Sequence, residues 1–368
     1  MKPNVFVVQP IPAEPLAVLE EVGKVEVFPN LRRQITLEET IDGAKRSDYL
    51  LALHGNYIPA EVINANPNLK GIAILGGTTV YVDFDAALAA KVPVASSIMA
   101  NQKYAVGGGV MVATADLTIA MLLAFAYRLI DADRYTRADP TFQEQTMALM
   151  GQGCSTKTVG LIGLGQVGML MVPRLRAFNM KLLYLKRSRL TPYEEQSLGL
   201  EYAPLDELLQ RSDYVCVLVS YNPTTDMMIG AREFDLMHPT TYLINTARGR
   251  IVDQNALVEA LQKKKIAGAG IEVFYDEPPR VWHPNVPAAL REMDNVILTP
   301  HNGGATYLSR SQQIMPVAEA LKMLIQGKRP PGLLNPEVFG DPVLHPQLYG
   351  RGPIRPAVEG GVADYTVY

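Results

Sequence analysis

The sequence predicts an α/β protein of two domains, each built on a parallel β-sheet with helices on both faces. The chain has 368 residues, which is more than one ordinary hydrophobic core accommodates. Short apolar runs alternate with helical patterns on both sides of a glycine run at 107–109. Strands that alternate with helices favour a parallel sheet covered on both faces.

The first section of the chain supplies five predicted strands with helical stretches between them. The strands are expected at 4–9, 25–28, 48–54, 69–75 and 92–96, and the helical stretches include 14–22 and 36–44. Short apolar runs form most of these strand segments, as expected for strands of a parallel sheet.

A long apolar segment separates the two sections. Residues 113–131 are apolar on nearly every side and predict one helix, buried between domains or in a subunit interface. Because glycines that can act as a hinge precede it, we place the first domain boundary there. The predicted domains are 1–112 with 303–340 and 113–302, followed by an extended Pro- and Gly-rich tail at 341–368.

The second section repeats the alternation of strands and helices more sharply. Strands are expected at 157–162, 181–185, 214–219, 241–245 and 296–298, and helices at 165–178, 256–263 and 309–326. This pattern is typical of a doubly wound, nucleotide-binding sheet.

Composition excludes several classes of function. The net charge is -3, so nothing indicates a general affinity for nucleic acid or an anionic membrane. The two cysteines are far apart, which favours reduced thiols in a cytoplasmic protein. The longest apolar stretch, 119–126, is shorter than the ~20 residues of a membrane span. Because no Cys/His cluster has metal-ligand spacing, we expect no metal site.

A glycine-rich motif follows the first strand of the second section. Gly163, Gly165 and Gly168 match the pattern GxGxxG between an apolar strand and a helix. The first glycine allows a tight turn, the second lets backbone approach a pyrophosphate, and the third lets helix and strand pack closely. Gln166 and Val167 open the helix, whose N-terminus attracts phosphate. The alternative is a glycine-rich turn that binds nothing.

The next strand ends in a basic loop formed by Lys186, Arg187, Ser188 and Arg189. An NAD-binding domain has an acidic residue there, which accepts hydrogen bonds from the ribose 2′-hydroxyl and repels a 2′-phosphate. Cations and a hydroxyl bind a phosphate instead. The loop therefore favours NADP(H), with NAD(H) still possible. The alternative is a solvated run of charge.

Three later segments carry Arg248, Glu277 and His301, each after an apolar run. In a parallel sheet the carboxyl ends of the strands line the ligand crevice, so these side chains are expected to converge. Reduction of a 2-keto acid needs a cation for the carboxylate and an acid for the carbonyl oxygen. A histidine beside a carboxylate suits the second task, because the pairing raises its pKa. Taken singly, each residue also has a structural explanation.

The motifs TVGLIGLGQVG, NTARGRIVDQNALVEAL, DEPP and NVILTPHNGGAT occur in this order. With them the chain resembles the D-isomer-specific 2-hydroxyacid dehydrogenase family, from about residue 50 to about residue 335, and leans toward its glyoxylate/hydroxypyruvate reductase type. The resemblance implies two Rossmann-like or flavodoxin-like domains with the active site in the cleft between them. It also implies a homodimer, built through the nucleotide domain, that moves a hydride between NADP(H) and C2 of a small 2-keto or D-2-hydroxy acid.

The resemblance assigns roles to individual residues. Arg248 binds the substrate carboxylate, and His301 is the general acid/base with Glu277 as its partner. Further expected cofactor contacts are Ser220, Thr225, Thr246, Ala247, Glu272, His301 and Gly303, and further expected substrate contacts are Gly76, Gly77, Thr78 and, after a strand of the first domain, His54.

Departures from the family pattern leave alternatives open. Thr78 and Val80 replace the second glycine and the aspartate of the family's substrate loop, and Glu272 replaces an aspartate. The same fold with another substrate, such as phosphite or a longer 2-keto acid, therefore remains an alternative. A non-catalytic NAD(P)-sensing scaffold or corepressor is another, because a fold does not determine a function. The joint presence of Arg248, Glu277 and His301 argues for an enzyme.

Overall fold

The structure is a computed structural model that describes residues 1–53, 55–75, 82–97, 109–138, 141, 147–275 and 286–340. The chain divides into two compact units, one of Met1–Val110 with Ala305–Tyr368 and the other of Met111–Gly304. The tail at 341–368 lies outside the described residues.

The first unit contains a five-stranded parallel sheet in the order β2-β1-β3-β4-β5. Its strands are β1 (Asn4–Val7), β2 (Lys24–Val27), β3 (Tyr49–Ala52), β4 (Gly71–Ile74) and β5 (Val94–Ser96). Its described helices are α1 (Ala13–Glu20), α2 (Leu37–Lys45), α3 (Ala60–Asn64), α4 (Phe84–Ala89) and α13 (Tyr307–Ile325). This strand order is that of a flavodoxin-like sheet.

The second unit contains a seven-stranded parallel sheet in the order β12-β11-β10-β9-β6-β7-β8. Its strands are β6 (Thr158–Ile162), β7 (Lys181–Leu185), β8 (Leu200–Tyr202), β9 (Tyr214–Val217), β10 (Tyr242–Asn245), β11 (Gly268–Ile271) and β12 (Val296–Leu298). Its described helices are α5 (Gly109–Ala126), which starts at the junction of the units, α6 (Leu129–Ala138), α7 (Gln166–Ala177), α8 (Pro192–Leu198), α9 (Leu205–Arg211), α10 (Ala231–Leu236), α11 (Gln254–Gln262) and α12 (Ala288–Glu292).

Strand order in the second unit reverses between β6 and β9. The chain winds outward from β6 through β7 to β8, then returns to the other side of β6 and continues from β9 to β12. Ligands of open α/β sheets bind in the crevice at such a point, outside the carboxyl ends of the strands. The predicted doubly wound α/β architecture is therefore confirmed.

Each sheet separates two hydrophobic cores. On β1, Phe6 belongs to the core on one face, and Val5 and Val7 belong to the core on the other. On β9, Val215 and Cys216 are divided in the same way. Neighbouring residues of a strand point to opposite faces, so a strand covered on both sides must be apolar throughout.

The long helix predicted at 113–131 is wrong in its extent. Helix α5 ends at Ala126, and α6 begins at Leu129. Between them Arg128 has a left-handed backbone with φ of 48°. That conformation interrupts a right-handed helix, and hydrophobicity alone carries no signal for it.

Two strands of the second sheet, β8 and β11, were not predicted. Strand β11 has the sequence GAGI, which is a poor strand pattern by propensity. Its glycines are required by packing. A Cβ at Gly268 would lie 2.4 Å from the carbonyl oxygen of Asn295, and a Cβ at Gly270 would lie 3.1 Å from the sulfur of Met121 in α5. The segment before β12 and helix α5 approach these two positions closely, which disfavours the larger residues that usually mark a strand.

Candidate active site

Most of the predicted site residues lie at the carboxyl ends of the strands in the second unit. The glycine turn follows β6, the basic loop follows β7, and Ser220 and Thr225 follow β9. Arg248, Glu272 and His301 follow β10, β11 and β12. Because every pair of neighbouring strands is parallel, these loops all lie at one edge of one sheet.

The glycine turn has the geometry that a nucleotide phosphate requires. Gly163 has a φ of 103°, and a Cβ there would lie 2.7 Å from the backbone nitrogen of Val219. A Cβ at Gly168 would lie 2.8 Å from the carbonyl oxygen of Gly163, whereas one at Gly165 would meet nothing within 4 Å. The open side of Gly165 and the N-terminus of α7 therefore form a cradle that fits a pyrophosphate.

The basic loop divides into two parts. Lys186, Arg187 and Ser188 are exposed, and within the described part of the chain none of them forms a side-chain hydrogen bond or ion pair. Arg189 differs, because its guanidinium donates two hydrogen bonds to the carboxylate of Glu195. The first three residues are thus available to a ligand, while Arg189 already has a partner.

The loop after β9 is held by its own side chains. The hydroxyl of Thr225 donates to the carbonyl oxygen of Ser220 at 2.9 Å and accepts from the backbone nitrogen of Asn222 at 2.9 Å. Thr225 therefore shapes the turn in which the exposed Ser220 lies.

Arg248 lies in a tightly constrained loop after β10. The side chain of Asn245 donates to the carbonyl oxygen of Arg248 at 3.0 Å and accepts from the backbone nitrogen of Ala247 at 3.1 Å. A Cβ at Gly249 would lie 2.0 Å from the carbonyl oxygen of Phe274, so only glycine fits there. The guanidinium of Arg248 is exposed and donates to the carbonyl oxygen of Ala247 at 2.6 Å.

Thr246, predicted as a cofactor contact, has a structural partner. Its side chain is buried, and its hydroxyl lies 2.8 Å from the hydroxyl of Thr118 in α5. The contact ties the loop after β10 to α5.

Glu272 holds the loop that carries His301. It is only 2% exposed, and its carboxylate accepts a hydrogen bond from the backbone nitrogen of Gly303 at 2.7 Å. Its carbonyl oxygen accepts from the backbone nitrogen of His301 at 3.0 Å. His301 has a φ of 49° and is exposed at the same edge of the sheet as Arg248. The cofactor contact predicted for Glu272 stays a prediction, whereas its bonds to this turn are present.

Arg250 is a residue that the sequence did not single out. Its guanidinium donates to both carboxylate oxygens of Asp226, at 2.8 and 2.7 Å, and lies over the ring of Tyr275 at 5.6 Å. The hydroxyl of Tyr275 donates in turn to the carbonyl oxygen of Val252 at 3.0 Å. The hydrogen bonds to Asp226 raise the pKa of Arg250 above its ordinary value. We name Arg250, Asp226 and Tyr275 the loop clasp, because they join the loops after β9, β10 and β11.

Several predicted site residues lie outside the described residues. They are Glu277, the expected partner of His301, and the expected substrate contacts His54, Gly76, Gly77 and Thr78. Among the described residues, no group of three or more His, Cys, Asp or Glu side chains is arranged to hold a metal ion.

Comparison with known proteins assigns the chain to a family. The family profile "D-isomer specific 2-hydroxyacid dehydrogenase, NAD binding domain" matches residues 119–303. A glyoxylate reductase of Thermococcus onnurineus is 35% identical over 345 residues, which are 92% of this chain and 98% of that protein. This chain belongs to the D-isomer-specific 2-hydroxyacid dehydrogenase family. The predicted resemblance is confirmed, and with it an oxidoreductase that has a nicotinamide-nucleotide-binding domain.

Solved structures of the family share the fold. A glyoxylate reductase from Paecilomyes thermophila is 25% identical with a TM-score of 0.60, covering 89% of this chain and 97% of that one. An NADPH-dependent glyoxylate/hydroxypyruvate reductase from Sinorhizobium meliloti, in complex with NADP and malonate, is 28% identical with a TM-score of 0.59, covering 88% and 93%.

The loop clasp is expected to stabilise the site loops of this dehydrogenase. Replacing Arg250 with Gln should lower the free energy of unfolding by about 1–2 kcal/mol, because the pair is charge-assisted but partly screened by solvent. Amide hydrogen exchange of Met227 and Ile229 should accelerate, since their N–H groups donate to the carbonyl oxygens of Arg250 and Ile251.

Urea unfolding and hydrogen exchange of Arg250→Gln, Asp226→Asn and the double variant measure this coupling. The control is Arg137→Gln, which removes a more exposed ion pair with Asp133 on α6. If the losses of unfolding free energy in the two single variants simply sum to the loss in the double variant, Arg250 and Asp226 are not coupled. The clasp would then not stabilise the loops.

Proposed function

We propose that this enzyme reduces a small 2-keto acid of the glyoxylate or hydroxypyruvate type to the D-2-hydroxy acid with NADPH. The observation that carries the proposal is the edge of the second sheet. There, Arg248 and His301 are exposed beside a glycine turn with room for a pyrophosphate and a basic loop with available donors.

The basic loop supports NADPH rather than NADH. Strand β7 ends without the acidic residue that binds a ribose 2′-hydroxyl, and Lys186, Arg187 and Ser188 follow it. Two cations and a hydroxyl suit a dianionic 2′-phosphate. The reductase of Sinorhizobium meliloti, named NADPH-dependent and solved with NADP, agrees with this preference.

The reaction divides among a few side chains. When bound, the nicotinamide supplies the hydride that C2 of the keto acid accepts. Arg248 binds the substrate carboxylate and polarises the carbonyl, because a guanidinium matches a carboxylate with two parallel hydrogen bonds. His301 donates a proton to the oxygen on C2, and Glu277 favours the protonated imidazole beforehand. In the reverse direction His301 removes that proton.

A small substrate is supported by the relatives. The proteins of Thermococcus onnurineus and Paecilomyes thermophila are both glyoxylate reductases. We assign Gly76, Gly77, Thr78 and His54 to substrate binding, as the sequence predicts.

The cysteines support a location in the reducing cytoplasm. Cys154 and Cys216 are buried and form no disulfide bond, as expected in that compartment.

A homodimer built through the second unit completes the proposal. Five large apolar side chains of this unit are exposed near the end of α5 and beyond it: Tyr127, Leu129, Ile130, Met147 and Met150, at 36–78% of their accessible surface. Helix α5 itself has a mean hydropathy of 1.9 and is 44% buried. The length and composition of α5 would also allow a membrane span, but buried helices in the cores of soluble proteins can be equally long and apolar. Large apolar side chains exposed close together in the chain support a surface that a second copy covers.

Initial rates test the reaction. NADPH and NADH are each oxidised against glyoxylate, hydroxypyruvate, pyruvate and phenylpyruvate, with absorbance of the reduced nicotinamide as the readout. We expect faster oxidation of NADPH, and glyoxylate or hydroxypyruvate should be the best substrate. Faster turnover of NADH would contradict the cofactor assignment. An absence of turnover with every keto acid would favour another substrate, such as phosphite, or a scaffold role.

Substitutions separate the roles of the two exposed site residues. His301→Ala should lower kcat by about 10²–10⁴-fold, the usual range for loss of a general acid. Arg248→Ala should lower kcat/KM by about 30- to 1000-fold, the scale of an interrupted charge pair. Steady-state kinetics of both variants are compared with Arg211→Ala, which changes an exposed ion-paired arginine on α9 and should leave activity intact. Near-normal turnover of either site variant would remove that residue from its role.

The dimer surface is tested by a charge on the apolar patch. Leu129→Glu should shift the sedimentation coefficient to that of a monomer, because burial of an unpaired carboxylate in the interface would cost more free energy than the contact provides. Leu31→Glu, at a residue of the first unit that is 85% exposed, is the matched control. A Leu129→Glu protein that remains as dimeric as the control would place the interface elsewhere.

A further inference from the structure

Arg189, the last residue of the basic loop, is held by hydrogen bonds and a ring contact. Its Nε donates to Oε1 of Glu195 at 2.8 Å and its Nη2 to Oε2 at 2.9 Å. The guanidinium also lies over the ring of Tyr202 at 5.0 Å. A planar, bidentate and stacked guanidinium has a fixed orientation, and the donors that it uses here are not free for a phosphate.

Glu195 is the centre of this network. Its side chain is only 12% exposed, and Oε1 also accepts a hydrogen bond from the hydroxyl of the fully buried Tyr184 at 2.7 Å. The bonds from Arg189, followed by that from Tyr184, lower the pKa of Glu195 to about 2. Glu195 is therefore charged at neutral pH, and Arg189 supplies its counter-charge.

The network lies directly against the end of the basic loop. The same hydroxyl of Tyr184 accepts a hydrogen bond from the backbone nitrogen of Leu190 at 2.9 Å. Thr191 then caps α8, and its side chain accepts from the backbone nitrogen of Glu194. The segment 186–190 is thus anchored where it begins, on β7, and where it enters α8.

The negative charge of Glu195 would weaken the binding of a 2′-phosphate at the basic loop. Lys186, Arg187 and Ser188 are exposed just before the network, and Glu195 carries its charge in the first turn of the helix that follows. Without Arg189 that carboxylate would repel a dianion bound at the loop. Arg189 therefore has a role toward Glu195 that needs no direct contact with a ligand.

We propose that Arg189 is a positioning residue for cofactor selectivity: it neutralises Glu195 so that Lys186, Arg187 and Ser188 can bind the 2′-phosphate. The inference rests on the proposed use of NADP(H). It differs from the simple expectation that all four residues of the loop contact the phosphate.

Binding of two nucleotides tests this role without turnover. Dissociation constants for adenosine 2′,5′-bisphosphate and adenosine 5′-monophosphate are measured by calorimetry at low salt, and their ratio gives the selectivity for the 2′-phosphate. The proteins are the wild type, Arg189→Gln, Arg189→Gln/Glu195→Gln and Arg187→Gln. Circular dichroism checks folding, and the Glu195→Gln change keeps the double variant free of an unpaired carboxylate.

The double variant decides the result. Arg189→Gln should lower the selectivity about tenfold, and Arg189→Gln/Glu195→Gln should restore it to within about threefold of the wild type, because the repelling charge is gone. Arg187→Gln should lower it by about 10- to 100-fold, as loss of a charged hydrogen bond does. A double variant as weak as Arg187→Gln would make Arg189 a direct ligand and overturn the proposal, and so would an Arg189→Gln protein with unchanged selectivity.

The outcome is independent of the reaction assignment. A wild type that binds the bisphosphate selectively but fails to oxidise NADPH would refute the proposed function and leave the role of Arg189 to be judged by the double variant. A wild type without selectivity for the bisphosphate refutes both.

Discussion

Parallel pairing in the seven-stranded sheet is the constraint on which the site depends. Each strand from β6 to β12 enters the sheet in the same direction, so every loop that follows a strand emerges at one edge. The connections are formed largely by helices and cover both faces, which is why the strands are apolar on both sides. Polar side chains are then concentrated in the loops, where a ligand can reach them.

Backbone contacts between neighbouring loops turn this edge into a defined site. The amide N–H of Glu272 donates to the carbonyl oxygen of Asn245, whose side chain holds the backbone of Arg248. Glu272 in turn binds the backbone of His301 and Gly303. Arg248 and His301 are therefore linked through a short chain of hydrogen bonds, although they are far apart in sequence. A site held by its own loops is preorganised, which limits the cost of ordering it on binding.

Glycines allow backbone segments of the second unit to pack closely against each other. Gly163, Gly249 and Gly268 each lie where a Cβ would come within 3 Å of a backbone atom of another segment. The glycine motif was visible in the sequence because its spacing is shared by dinucleotide-binding turns. Gly249 and Gly268 have no such spacing, and their necessity depends on Phe274 and Asn295, which only folding brings near.

The sequence by itself determined the α/β class, the positions of most strands and helices, the glycine turn and the loops that carry Arg248 and His301. Those features are local: apolar periodicity, turn residues and motif spacing express them within a few neighbouring residues. Only the tertiary structure decided the break between α5 and α6, the glycine-rich strand β11, the clasp at Arg250 and the pairing of Arg189 with Glu195. Each of these depends on a left-handed residue, a close backbone approach or a charge partner whose side chain is placed by the fold, and no periodic pattern encodes such a contact.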